Sequence, residues 1–192
     1  MENLSWDSHI RTIKSKVSKS IGILCKIRKN LSCSVLRNLY FTLVHPYLDY
    51  CNIIWAANKS TCLDKLFLMQ KKAIRIVTRS TWNAHTAPLF VKLHVLTLNN
   101  VNRYQTGCFM YKIYNNMLPT NLMTLFSKNL TLYNHDTRRK NNFHVIQRRI
   151  NKRALSIKIY GVTLWNGLSV ELKELNSFNL FKTKYKHWLF TT

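Results

Sequence analysis

Acidic residues are what this chain most lacks: seven Asp and Glu stand against thirty Lys and Arg in 192 residues, a formal charge of +23. A polymerase or two-metal nuclease gathers several carboxylates around its metal ions, yet Asp7, Asp49, Asp64 and Asp136 are scattered singly. Glu171 and Glu174, one helical turn apart, read as a solvated helix face. Turn makers are also scarce. Four Gly and three Pro are too few for a many-stranded sandwich or barrel and point to helices. The cysteines Cys25, Cys33, Cys51, Cys62 and Cys108 form no C-x-x-C pair and have no His at ligand spacing, so free thiols in a reducing compartment are expected. Nothing in the spacing calls for a metal or any other cofactor. No window approaches the roughly 20 apolar residues of a membrane span, and the amino terminus has neither the apolar core nor the cleavage site of a signal peptide. The expectation is an intracellular protein, nuclear or cytoplasmic and not membrane-bound, whose sequons at Asn3, Asn30, Asn58 and Asn129 stay unmodified.

What the chain does have is apolar residues, 46% of the total, with five Trp, nine Tyr and nine Phe spread along its length. A strongly charged chain stays disordered when it is poor in such residues; this one can build a packed core. The expected class is all-α. The excess of cations, with nothing to neutralise it, points to a polyanionic partner.

From Ser8 to Arg28 the positions Ile10, Ile13, Val17, Ile21, Leu24 and Ile27 recur in three- and four-residue steps, which predicts one helical stripe. Arg11, Lys16, Lys19, Lys26 and Lys29 fall mostly on the other side, a basic face that either tracks a phosphate backbone or is only solvated. Ser32 or Ser34 caps a second helix through Leu36, Tyr40 and Leu43. Pro46 restarts the chain into a third, continuing through Tyr47, Leu48, Cys51, Ile54 and Trp55. Thr61 and Asp64 fit a capping box ahead of a helix bearing Leu66, Ile74 and Val77, with a second basic strip of Lys71, Lys72, Arg75 and Arg79. A short helix through Phe90 and Leu93 follows. A longer one, capped by Thr97, runs to a stop at Leu118-Pro119. Residues 127–158 read as a basic arm containing Arg138, Arg139, Arg148, Arg149 and Arg153. The last helix, capped by Asn176 or Ser177, would bury Phe178, Phe181, Tyr185 and Trp188. Two domains are expected, a three-helix unit over 1–58 and a helical domain over 59–192.

His9, His85 and His135 lie near helix starts or in polar connections, where a ring nitrogen commonly satisfies a backbone group; none is paired locally with a nucleophile and an acid. Aromatics interleave with cations at Tyr104 and Tyr111 near Arg103 and Lys112, at Phe143 near Arg139, at Tyr160 near Lys158, and at Tyr185 and Trp188 among lysines. Such pairs can stack unpaired bases while the charges hold phosphates. For Trp165, Phe181 and Trp188 a core role is the plainer reading.

Several short motifs occur in an order that resembles a known family. Leu4-Ser5-Trp6-x-x-His9-Ile10 is followed by His45-Pro46-x-Leu48-x-Tyr50 with Trp55, then by Leu66, Gln70, Ala73 and Arg75. His135-x-Thr137-Arg138 comes next, and Gly161, Leu164-Trp165-Asn166-x-Leu168 and Phe181-Lys182 close the series. Together they resemble the thumb and post-thumb region of reverse transcriptases from non-LTR retrotransposons of the jockey-like LINE type. The resemblance implies the carboxy-terminal tail of an RNA-directed DNA polymerase without its catalytic palm, as would arise from a truncated or decayed element. It also implies partners: template RNA or an RNA:DNA duplex, and a separate catalytic reverse transcriptase module. Arg11, Lys14, Lys16 and Lys19 would lie on the duplex backbone, and Arg138, Arg139, Arg148, Arg149 and Arg153 on RNA. The rival readings are a helical protein-interaction adaptor, a remnant without function, and a nuclease assembled from the scattered acids.

Because the acids needed for two-metal chemistry are missing from the spacing, the isolated chain should incorporate no dNTP on a primed RNA template with Mg²⁺ or Mn²⁺. Reproducible extension by a preparation free of other polymerases would contradict this.

Overall fold

The computed structural model describes residues 6–57, 61–132, 140–146 and 156–191. Within them the chain is all-α. The first helix, α1 (Asp7–Ile27), buries Ile10, Ile13, Val17, Ile21 and Leu24, the stripe expected from their spacing. Ser32 caps α2 (Cys33–Leu43), its hydroxyl accepting from the Val35 amide at 3.4 Å. Pro46 lies in the first turn of α3 (His45–Asp49), where its missing N–H costs nothing.

The third helix does not continue to Trp55 as expected. Tyr50 is extended, Cys51 is left-handed at φ 50°, and a separate turn, α4 (Asn52–Trp55), follows. Side chains replace the helical bonds at this break. The Asn52 amide donates to the Leu48 carbonyl at 2.6 Å, and the Trp55 indole N–H to the Tyr50 carbonyl at 2.9 Å. In an unbroken helix those carbonyls would have taken backbone N–H groups four residues on.

Next come α5 (Thr61–Val77), α6 (Ala87–Lys92) and α7 (Leu98–Tyr114). Thr97 caps α7 as expected, its hydroxyl accepting from the Asn100 amide. These three helices end alike, each on a left-handed residue that is not Gly: Arg79, His94 and Asn116. In each the following amide reaches back five residues, Ser80 to Arg75, Val95 to Phe90 and Met117 to Lys112, the Schellman arrangement. Asn116 therefore stops α7 before Leu118-Pro119 is reached. No Gly in the described residues has positive φ, so a glycine-poor chain turns its corners on residues that tolerate the conformation less well.

One side chain joins three of these elements. Gln70 on α5 is fully buried. Its amide nitrogen donates to the Tyr40 hydroxyl at 2.9 Å and to the Leu96 carbonyl at 3.0 Å, while its oxygen accepts from the Leu98 amide at 2.8 Å. α2, α5 and the entry to α7 are fastened by this one group.

The chain divides into two compact units, Met1–Asn102 and Arg103–Thr192. The division falls after Asn102 rather than at residue 58, the boundary expected from the sequence. α5 shares one apolar cluster with α1: Ile10, Val17 and Leu24 pack in the same core as Leu66, Ile74 and Val77. In the second unit, α7 is followed by the short turns α8 (Thr120–Met123) and α9 (Asn129–Leu132), then α10 (Ile157–Asn166), α11 (Val170–Lys173) and α12 (Phe178–Thr191). Trp165 and Phe181 are buried, as expected; so are Tyr111, Phe143 and Tyr185, whereas Phe178 and Trp188 are only half-buried. Gly107 allows α12 to approach α7, since a Cβ there would stand 2.4 Å from Cε1 of Tyr185.

The described flanks of the arm expected over 127–158 are closed on themselves. Lys128 bridges Phe143, and the Asn166 side chain accepts from the Phe143 amide and donates to its carbonyl. No described helix is long and apolar enough to cross a membrane.

Truncating Gln70 to Ala would leave the Leu98 amide, the Leu96 carbonyl and the Tyr40 hydroxyl without their partner, each worth about 1 to 3 kcal/mol when buried. Gln70→Ala should cost at least about 3 kcal/mol in urea unfolding, a large share of a domain's stability. A variant that unfolds at the parent's midpoint would contradict the clamp.

Candidate nucleic-acid interface

α1 and α5 run side by side in the same direction. Their beginnings meet around a groove of about 150 Å³ lined by Ile10, Arg11, Lys14, Cys62 and Lys65. Past their ends, Arg79 donates to the Leu31 carbonyl. The periodicity that buries Ile10, Val17 and Ile21 places Arg11 and Lys14 at the edge of α1 facing α5. On α5, Lys65 and Lys72 are seven residues apart and so share one stripe. Both are exposed, and about 10.5 Å of helix separates them. Among the described residues no carboxylate lines the groove.

The four α1 cations expected to act together are in fact divided. Arg11 and Lys14 face the groove, Lys19 is exposed on the side away from the core, and Lys16 turns toward the α3 edge with its ammonium 5.7 Å from the Tyr47 ring centroid. The α5 set divides likewise. Lys72 is exposed, Lys71 lies over the Phe67 ring at 4.4 Å, and Arg75 is half-buried with its Nε donating to the Ala84 carbonyl at 2.9 Å. Arg138, Arg139, Arg148, Arg149 and Arg153 lie outside the described residues. Lys65 was not among the expected site residues; its helical phase relative to Lys72 was the signal that could have found it.

Several motif residues are structural fasteners. The His9 ring lies edge-on to both Trp6 and Trp55, at 6.0 Å from each. Gln70 is the clamp described above, Ala73 is fully buried, and Asn166 holds the backbone at Phe143. Among the described residues no His, Cys, Asp and Glu come together in a group that could hold a metal ion.

The second unit has a cleft of its own, about 290 Å³, lined by Arg103, Tyr160, Thr163, Leu164, Gly167, Leu168 and Trp188. The Arg103 guanidinium lies over the Trp188 ring at 5.3 Å. Burial pushes the Tyr160 hydroxyl's pKa up, and the positive charge of Arg103 pulls it partly back. Burial likewise raises the Cys108 thiol to about 11, against the pull of its hydrogen bond with Tyr104.

Comparison of the chain with protein-family models, with curated proteins and with solved structures finds no match.

Arg75 supports the loop after α5. Arg75→Ala should therefore lower stability by about 1.5 to 3 kcal/mol, the range for a hydrogen bond from a charged group, and leave the salt dependence of RNA binding unchanged. A flatter salt slope with an unchanged melting temperature would put Arg75 on phosphate instead.

Proposed function

We propose that this chain is a helical nucleic-acid holder that grips phosphate backbone without reading sequence. More particularly, we infer that it is the thumb and post-thumb tail of a non-LTR retrotransposon reverse transcriptase, acting in the nucleus or cytoplasm on template RNA or an RNA:DNA duplex beside a separate catalytic module. The observation that carries the first step is the α1–α5 groove, where Arg11, Lys14 and Lys65 converge with no carboxylate among the described lining residues. Point charges on a rigid surface neutralise phosphates and release counterions, which supplies affinity but carries no sequence information. The distance from Lys65 to Lys72, about 10.5 Å along the helix, is about three nucleotide steps at about 3.4 Å per strand. Support for the second step is the order of motifs, together with the way their residues Trp6, His9, Trp55 and Gln70 cooperate in one fold.

The adaptor reading has one observation in its favour, the nearly full exposure of Trp82 (87%) in the loop after α5. Aromatics of that kind anchor protein interfaces. They also stack on bases, so Trp82 does not outweigh the charge.

The triple variant Arg11→Ala/Lys14→Ala/Lys65→Ala tests the holder directly. With each contact contributing about 0.7 to the slope of log K against log salt on a single strand, the slope should fall by about 2, equally for unrelated RNA sequences. Melting should hardly move, since exposed substitutions stay within about 0.5 kcal/mol. Affinity and slope equal to the parent's would leave these cations as a solvated face and favour the adaptor.

A further inference from the structure

In the Arg103–Thr192 unit, charge and aromatic surface meet in a way that backbone gripping does not use. Arg103 opens the unit on α7, and Trp188 is on α12. Between them stands Tyr185, whose hydroxyl donates to the Arg103 carbonyl at 2.9 Å. The Tyr185 ring stacks on Tyr104 at 6.2 Å and on Trp188 at 5.8 Å, with planes within 18°. Gly107 lets the two helices come this close. The Arg103 backbone and the Trp188 ring are therefore both fixed by Tyr185, and the guanidinium lies over that fixed indole, which lowers the ordering cost of any ligand that uses the pair.

We propose that this cleft binds a single unpaired nucleotide, its base against the Arg103–Trp188 pair and Tyr160, its phosphate drawn by the Arg103 charge. Planar guanidinium groups and aromatic rings are the surfaces on which unpaired bases stack. Tyr160 and Thr163 bring hydroxyls to the cleft, which can bond to a base edge. Leu168 is buried and gives an apolar floor, whereas Gly167 is exposed and carries no side chain to close the opening. The volume of about 290 Å³ lies just below the range for pockets of drug-sized ligands, which begins at about 300 Å³. That suits one nucleotide and excludes a base pair with its backbones. Among the described residues no carboxylate lines the cleft to repel phosphate. The nucleotide can be free or a unit of a single strand, and the chemistry is shared.

The test uses the full chain, a short labelled oligoadenylate, adenosine monophosphate as competitor, and an RNA duplex as control. Adenosine monophosphate should displace the oligoadenylate but not the duplex, whose bases are paired. Two variants remove the site by different routes. Arg103→Met keeps a flexible apolar contact for Trp188 and loses the charge, while Thr163→Tyr fills the mouth from an exposed position. Each should weaken oligoadenylate by about 5- to 150-fold, the worth of one stacked base, and leave duplex binding as in the parent. In the groove variant Arg11→Ala/Lys14→Ala/Lys65→Ala, where backbone gripping is removed, tighter binding of oligoadenylate than of the monophosphate assigns the cleft to a single strand; the reverse assigns it to the free nucleotide. The groove variant Arg11→Ala/Lys14→Ala/Lys65→Ala should bind adenosine monophosphate like the parent, so failure of the holder and failure of the cleft are separable. Absence of competition by the monophosphate, or parental oligoadenylate affinity in both variants while they remain folded, would overturn the proposal.

Discussion

One buried carboxamide sets the arrangement of the first unit. Gln70 cannot be left unpaired in an apolar interior without a cost of about 1 to 3 kcal/mol per group. The position of α5 relative to α2 and to the start of α7 is therefore fixed by where Tyr40, Leu96 and Leu98 present their polar atoms. α5 must lie in one rotation about its axis for this to happen. The same rotation turns Lys65 and Cys62 toward α1, where they meet Arg11 and Lys14. The placement of the basic groove thus follows from these polar bonds together with the apolar packing of α5 on α1.

The second unit uses the same device at another point. Asn166 meets the backbone of Phe143 with both ends of its amide, as a neighbouring strand would. It thereby closes the described flanks of the most basic part of the sequence onto the Trp165 and Phe181 core. Side-chain amides substitute here for the sheets and glycine turns that the composition does not supply.

Long helices were legible because their signal is local. The stripe from Ile10 to Leu24 and the caps Ser32 and Thr97 each depend on residues within a turn or two. The break at Tyr50 and Cys51 was not, since it depends on Trp55 and Asn52 bonding backward, and nothing in periodicity distinguishes those bonds from a continuing helix. The stop at Asn116 was hidden by the nearby Pro119, a stronger punctuation mark that proved unnecessary. At the candidate site, charge density along the chain was a poor guide to charge in space. Lys71, Lys72 and Arg75 are neighbours in sequence but point to a ring, to solvent and to a loop carbonyl. Lys65 and Lys14, far apart in sequence, share a groove. The aromatics were recognised as cation-rich, but only the fold brings Arg103, Tyr160 and Trp188 to one cleft.

The central claim is that a polynucleotide lies along the α1–α5 groove, and the chain carries its own reporter there. Cys62 lines the groove between Arg11, Lys14 and Lys65, while Cys33 and Cys51 are exposed free thiols at the starts of α2 and α4. Mass spectrometry of alkylation rates, with and without saturating RNA, compares the three within one molecule. The account predicts that RNA slows alkylation of Cys62 and leaves Cys33 and Cys51 at their free rates. An unchanged rate at Cys62 under saturating RNA would contradict it.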